Sequence, residues 1–123
     1  MSIVYKKHEL YQDSILIRDF FGCVGVNEII ESWEYLIASK LITSSVKGVI
    51  NNLTQCDLQL DMESFKTLIA YLKKQEALKG VKLAVICHNP LTIVFPTLGE
   101  LFEQDLMIKP FSTMIAAVAW VME

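Results

Sequence analysis

The sequence predicts a single α/β domain: a mostly parallel mixed sheet of about five strands with an N-terminal hairpin and about four helices, in the order β-β-α-β-α-β-α-β-α. Three observations carry this. Two runs rich in β-branched and aromatic residues, SIVYKKH and SILIRDFF, flank the polar ELYQD, which is the pattern of a hairpin. Beyond them, apolar runs of strand length alternate with stretches of helical periodicity, as in a sheet built through right-handed crossovers. No linker, internal repeat or low-complexity segment interrupts the 123 residues, and that length suits one core.

The hairpin strands are expected near residues 3–8 and 14–21. GCVG, with glycines at 22 and 25, reads as the break after the second strand. Asn27 stands where a helix cap is wanted, with Glu28 and Glu31 in the first turns. Ile29, Ile30, Trp33, Leu36 and Ile37 recur at helical spacing while Glu28, Glu31 and Glu34 fall elsewhere, so one face is core. Trp33 is expected between this helix and the sheet. VKGVINNL, residues 46–53, is apolar at its centre like a strand covered on both faces. Asp61 is expected to cap the next helix, whose buried stripe is Phe65, Leu68, Ile69 and Leu72, with Lys66, Lys73 and Lys74 outward. Gly80 ends that region, and VKLAVICH, residues 81–88, is the fourth strand. Asn89 followed by Pro90 signals a third helix near 90–104, although Pro96 would kink it and Gly99 would weaken it. LMIKPF, residues 106–111, reads as a short edge strand, because Pro110 lacks an amide donor for a second neighbour. Ser112 or Thr113 opens a last helix.

That last helix is apolar at every position from Met114 to Met122. Ile115, Val118 and Met122 are expected to pack on the sheet. Met114, Ala117, Trp120 and Val121 are then left as a candidate interface, and a homodimer is expected to cover them.

Composition excludes several classes. The chain is 53% hydrophobic and 20% charged, as in a globular protein. Its net charge is -3 and its pI about 5.4, with no basic block to meet nucleic-acid phosphates or anionic lipid. The longest apolar run is too short to span a bilayer, so no integral membrane association is expected. The N-terminal MSIVYKKHEL lacks the apolar core of a signal peptide, and Cys23, Cys56 and Cys87 match neither a zinc pattern nor a disulfide framework. A cytoplasmic protein is expected.

The element order resembles the STAS domains, and more closely the SpoIIAA-like branch, whose relatives include the SEC14 (CRAL-TRIO) fold. The residues behind the resemblance cover most of the chain: Gly22 before NEIIESWEYLI, VKGVINNLT as the central strand, LAVICHNP as the fourth strand and its turn, and KPFSTMIAAVAWV as the closing strand, turn and helix. The resemblance implies a regulatory module switched by phosphorylation of an Asp-Ser-Ser-Gly motif at the start of the second helix. Here the corresponding residues are Asp61, Met62, Glu63 and Ser64, so a carboxylate stands where the acceptor hydroxyl would be. The acid usual on the preceding strand is Asn52 here, and the intervening loop is one residue longer. Three readings follow: Ser64 is phosphorylated, Glu63 is a fixed mimic of phosphoserine, or Asp61 and Glu63 cap the helix and complement its dipole. The last is the expected one.

Catalytic chemistry finds no foothold in the motifs. Cys87 and His88 are adjacent, so on a strand they point to opposite faces and cannot form a nucleophile–base pair. There is no phosphate loop, HExxH helix or GxSxG elbow, and neither an enzyme nor a cofactor is expected. The carboxyl ends of the parallel strands should bring together a candidate ligand crevice of Asn51, Asn52, Thr54, His88 and Asn89. Two functions come out of this. The first is a non-enzymatic STAS-like module that binds a protein partner not identified by the sequence. The alternative is a SEC14-like domain for a small apolar ligand or lipid, with PLTIVFPTLGELF as cleft lining or gate. A dry cavity of roughly a few hundred Å³ between the sheet and the third helix would favour the alternative, and a filled core the first.

Overall fold

The computed structural model describes residues 2–88 and 106–123. One five-stranded sheet runs in sequence order, β1 (Ser2–Lys7), β2 (Ile15–Gly25), β3 (Gly48–Gln59), β4 (Lys82–Ile86) and β5 (Met107–Phe111). β1 pairs antiparallel with β2, and every later pair is parallel. The described helices are α1 (Val26–Ala38), α2 (Met62–Lys73) and α3 (Met114–Met122), with a 3-10 turn at Glu76–Leu78. The helix expected near 90–104 lies outside the described residues.

Strand periodicity sorts the side chains into two cores. Leu16, Phe20, Val49, Leu53 and Leu83 meet Ile29, Trp33 and Leu36 of α1 and Ile69 and Leu72 of α2. On the opposite face Ile15, Ile17, Ile50, Ala84 and Ile86 meet Ala117 and Val121 of α3. Trp33 is buried between α1 and the sheet, as its spacing predicts. Pro110 sits on β5 at the sheet edge, where its missing donor leaves no gap in the ladder.

Three expectations are corrected. GCVG does not end β2: the ladder continues through it, with Gly22 opposite Cys56 and Gly25 opposite Gln59. Gly22 allows this by taking φ 77°, a conformation that costs a glycine little. The cap of α1 is accordingly Gly25 rather than Asn27, and Glu28 Oε2 reaches back to accept its N–H at 3.3 Å. β2 and β3 therefore overhang their neighbours as a two-stranded ribbon, since β4 pairs with β3 only as far as Asn52.

The third correction concerns α3. Ala117 and Val121 are the residues packed on the sheet, with 0% and 1% exposure, whereas Ile115 is 85% exposed. A helix that is apolar all round carries no phase information. The phase is set by size: Ala117 is small, and Gly48 on β3 has no side chain under Val121. Trp120 is also engaged within the chain, its ring beside Phe111 and its carbonyl accepting from Lys82 Nζ at 2.8 Å. Ala117 and Val121 of the candidate interface are thus taken up within the chain, while Ile115 stays exposed on the outer face of α3, and the expected homodimer has no direct support in this single chain.

A Cβ added at Gly48 would lie 2.6 Å from Val121 Cγ1 and 2.9 Å from the Lys82 carbonyl oxygen. Gly48→Ala should lower stability in urea titration by about 1–3 kcal/mol, as overpacking does. Adding Val121→Ala should recover part of the loss. A Gly48→Ala protein as stable as the parent would show that α3 does not depend on this close approach.

Candidate functional site

The start of α2 is built as its sequence predicts. Asp61 has extended backbone and its Oδ1 accepts the Ser64 N–H at 2.8 Å, which satisfies one of the orphan donors of the first turn. That hydrogen bond holds the Asp61 carboxyl below its ordinary range. Glu63 lies in the first turn, where a negative charge complements the helix dipole. Asp61, Met62 and Glu63 are exposed, and Ser64 is half-buried. The four residues thus present a short acidic surface with Met62 in its middle.

The expected crevice does not form as one cluster. Asn51 and Asn52 are neighbours on β3 and point to opposite faces. Asn51 is buried beneath α1. Asn52 Nδ2 donates to Asp19 Oδ1 at 3.0 Å, and its Oδ1 accepts from the Thr54 hydroxyl at 2.8 Å. Asp19 also pairs with Lys6 at 3.2 Å. This polar chain sits where the β2–β3 register shifts between Asp19 and Phe21, so its bonds belong to a bulge. His88 is exposed, with Nε2 3.0 Å from the Ser112 carbonyl oxygen. Asn89 lies outside the described residues.

Cys87 is buried and its N–H donates to the Phe111 carbonyl at 3.1 Å. Burial raises its pKa, so the thiol is protonated and inert at neutral pH. Cys56 is likewise pushed up, to about 11, chiefly by burial. Among the described residues no three His, Cys, Asp or Glu side chains are grouped to hold a metal ion.

The residue that the sequence reading missed is Arg18, the only arginine in the chain. Strand periodicity puts it on the same face as Leu16 and Phe20, under α1, and it is 2% exposed. Its Nε donates to Asn51 Oδ1 at 2.7 Å and its Nη1 to Ser32 Oγ at 2.8 Å. Ser32 Oγ also shares a 2.8 Å hydrogen bond with the Tyr5 hydroxyl, and Asn51 Nδ2 donates to the Ala84 carbonyl at 3.0 Å. The guanidinium carbon lies 3.8 Å from the Trp33 ring centroid and 4.8 Å from that of Phe20. None of these partners is an anion, and no carboxylate of the described residues pairs with it. Burial pulls its pKa down to about 9, against a smaller upward pull from Tyr5, so it remains a cation at neutral pH. A signal was present: a charged residue in phase with Leu16 and Phe20 on a strand predicted to be covered.

Among the described residues, Arg18 and Asn51 form the polar part of an otherwise apolar cavity of about 80 Å³ between the sheet, α1 and α2. Phe65 and Leu68, one turn beyond the start of α2, line it too. It is smaller than the cavity expected of a lipid-binding domain and lies under α2. A wider hollow of about 350 Å³ beside Leu78 and Lys79 opens near the amino end of β4.

The Asp61 cap has a pH signature. Its folded pKa is depressed, so its contribution is present above the unfolded aspartate value of about 3.9 and is lost as pH falls through the folded value. Asp61→Asn keeps a capping oxygen that does not titrate. Stability measured by urea titration from about pH 6 to pH 2 should therefore fall less steeply on the acid side for the variant. Superimposable acid limbs would show that the carboxylate charge at Asp61 contributes nothing.

Comparison with known proteins places this geometry. No family model matches the chain, and no match to a curated protein was found. Solved structures do match. A protein of the DUF3478 family from Shewanella loihica PV-4, described as having a SpoIIAA-like fold, superposes with a TM-score of 0.61 at 19% identity, covering 98% of this chain and 92% of that one. The anti-sigma factor antagonist SpoIIAA in its unphosphorylated form gives 0.58 at 13% identity, covering 98% of each chain. The Bacillus cell fate determinant SpoIIAA in its phosphorylated form gives 0.57 at 12% identity, covering 98% and 99%. The chain has a STAS-type, SpoIIAA-like fold.

Proposed function

We propose that this protein is a non-enzymatic regulatory module that binds another protein through the surface at the start of α2, without a phosphorylation switch there. The observation that carries the reading is that, on a SpoIIAA-like fold, the exposed first turn of α2 offers Met62 between two carboxylates, with Glu63 at the acceptor position. SpoIIAA itself is an anti-sigma factor antagonist known in unphosphorylated and phosphorylated forms. In this chain Ser64 is half-buried and its amide is bound to the Asp61 cap, an arrangement that serves helix initiation. Glu63 carries one charge where a phosphoserine carries nearly two, so it supports a fixed surface better than a switched one.

Two further observations favour a binding role over catalysis. The Cys87 thiol is buried and held protonated, and His88 turns its Nε2 to a backbone carbonyl. The described residues contain no helix long and apolar enough to cross a membrane. We read the module as acting in the cytoplasm, where its free thiols would stay reduced.

A photo-crosslinking amino acid placed at Met62 tests this in the protein's own cells, with the same probe at the exposed Leu10 as control. Position 62 should yield a discrete cross-linked protein that position 10 does not, and Glu63→Arg should reduce its yield at least tenfold while thermal stability holds. The protein recovered from those cells should carry no phosphate at Ser64. Equal cross-linking at both positions, or stoichiometric phosphate on Ser64, would overturn the reading.

A further inference from the structure

We propose that Arg18 and the cavity beside it form a binding site for a small monocarboxylate, the guanidinium holding the carboxylate and the apolar walls holding a short hydrocarbon tail. Arg18 is buried, and the partners described for it, Asn51, Ser32 and the Trp33 and Phe20 rings, are all neutral. A guanidinium has five N–H donors in a planar fork suited to the two oxygens of a carboxylate, and Asn51 and Ser32 together engage two of them. Neutral partners hold the cation in place without balancing its charge.

The cavity supplies the rest of the specificity. Apart from Arg18 and Asn51, the described residues of its walls are apolar, with Leu53, Phe65, Leu68 and Ile69 among them. Its volume of about 80 Å³ lies between the roughly 10–15 Å³ that admits one water and the roughly 150 Å³ that admits benzene. That range suits a short aliphatic acid. An inorganic anion would leave the apolar walls unused, and an alcohol or amine of the same length would leave the guanidinium uncompensated. The site stands apart from the surface around Met62, so it does not rest on the partner-binding reading. Phe65 and Leu68 nevertheless place it directly under α2.

The test uses the wild-type protein with butyrate as probe. Because Arg18 is the only arginine, its side-chain Nε–H gives a single arginine resonance in a nitrogen-edited NMR spectrum. Titration with butyrate should move that resonance saturably, and butyrate should bind at least tenfold more tightly than 1-butanol or butylamine. Leu68→Trp, which fills the cavity from the half-buried face of α2 and leaves Arg18 in place, should weaken butyrate at least tenfold with the circular dichroism spectrum unchanged. Arg18→Met, if it folds, should abolish the preference for acid over alcohol. No saturable shift with butyrate, equal binding of 1-butanol, or undiminished binding by a folded Leu68→Trp protein would each overturn the proposal.

Discussion

An arginine on β2, under α1 and away from water, dictates much of how this interior is built. Removing a guanidinium from water costs several kcal/mol even after relaxation. The chain offsets that with hydrogen bonds from the cation to Asn51 and Ser32, each worth about 1.5–3 kcal/mol when one partner is charged. The Trp33 face adds about 2 kcal/mol in a desolvated setting. Through these contacts one side chain ties β2 to β3 and α1. Tyr5 extends the network to β1 through Ser32, and Asn51 extends it to β4 through the Ala84 carbonyl.

The same network fixes register. Tyr5, Arg18, Asn51 and Val85 stand opposite one another across four strands. A slip of one residue would turn Arg18 toward α3 and away from Asn51, Ser32 and Trp33, the groups that hold it. The opposite face is set by a steric rule instead. Gly48 leaves the space that Val121 fills, and this close approach decides which side of an otherwise phase-free helix meets the sheet. Polar specification on one face and small-residue packing on the other thus hold one sheet between two unlike layers. The start of α2 joins both parts of the functional account, since Met62 faces solvent while Phe65 and Leu68 close the cavity below.

Much of this was legible in the sequence where a local rule has a single solution. Helical spacing placed Trp33 in the core, Pro110 marked an edge, and Asp61 announced its own cap. Legibility failed where a long-range partner decides. The glycines of GCVG look like a break, and only the ladder to β3 shows that Gly22 lets the strand continue. The apolar tail helix has no polar stripe, so its face depends on Gly48, far away in sequence. The asparagine crevice does not form because Asn51 and Asn52, as adjacent residues on a strand, must face opposite ways, as Cys87 and His88 do. Arg18 is hidden within the apolar run SILIRDFF, and only its phase with Leu16 and Phe20 marks it as a buried charge.

Arg18 is a buried cation held in place by Asn51, Ser32 and Trp33. Hydrogen exchange at its side-chain Nε–H, followed by NMR on the protein without added ligand, tests this most directly. The account predicts one ring-current-shifted resonance that is protected from exchange as strongly as the backbone amides of the central β2 and β3 ladder. A resonance at the position of a solvated arginine, exchanging as fast as a free side chain, would contradict it.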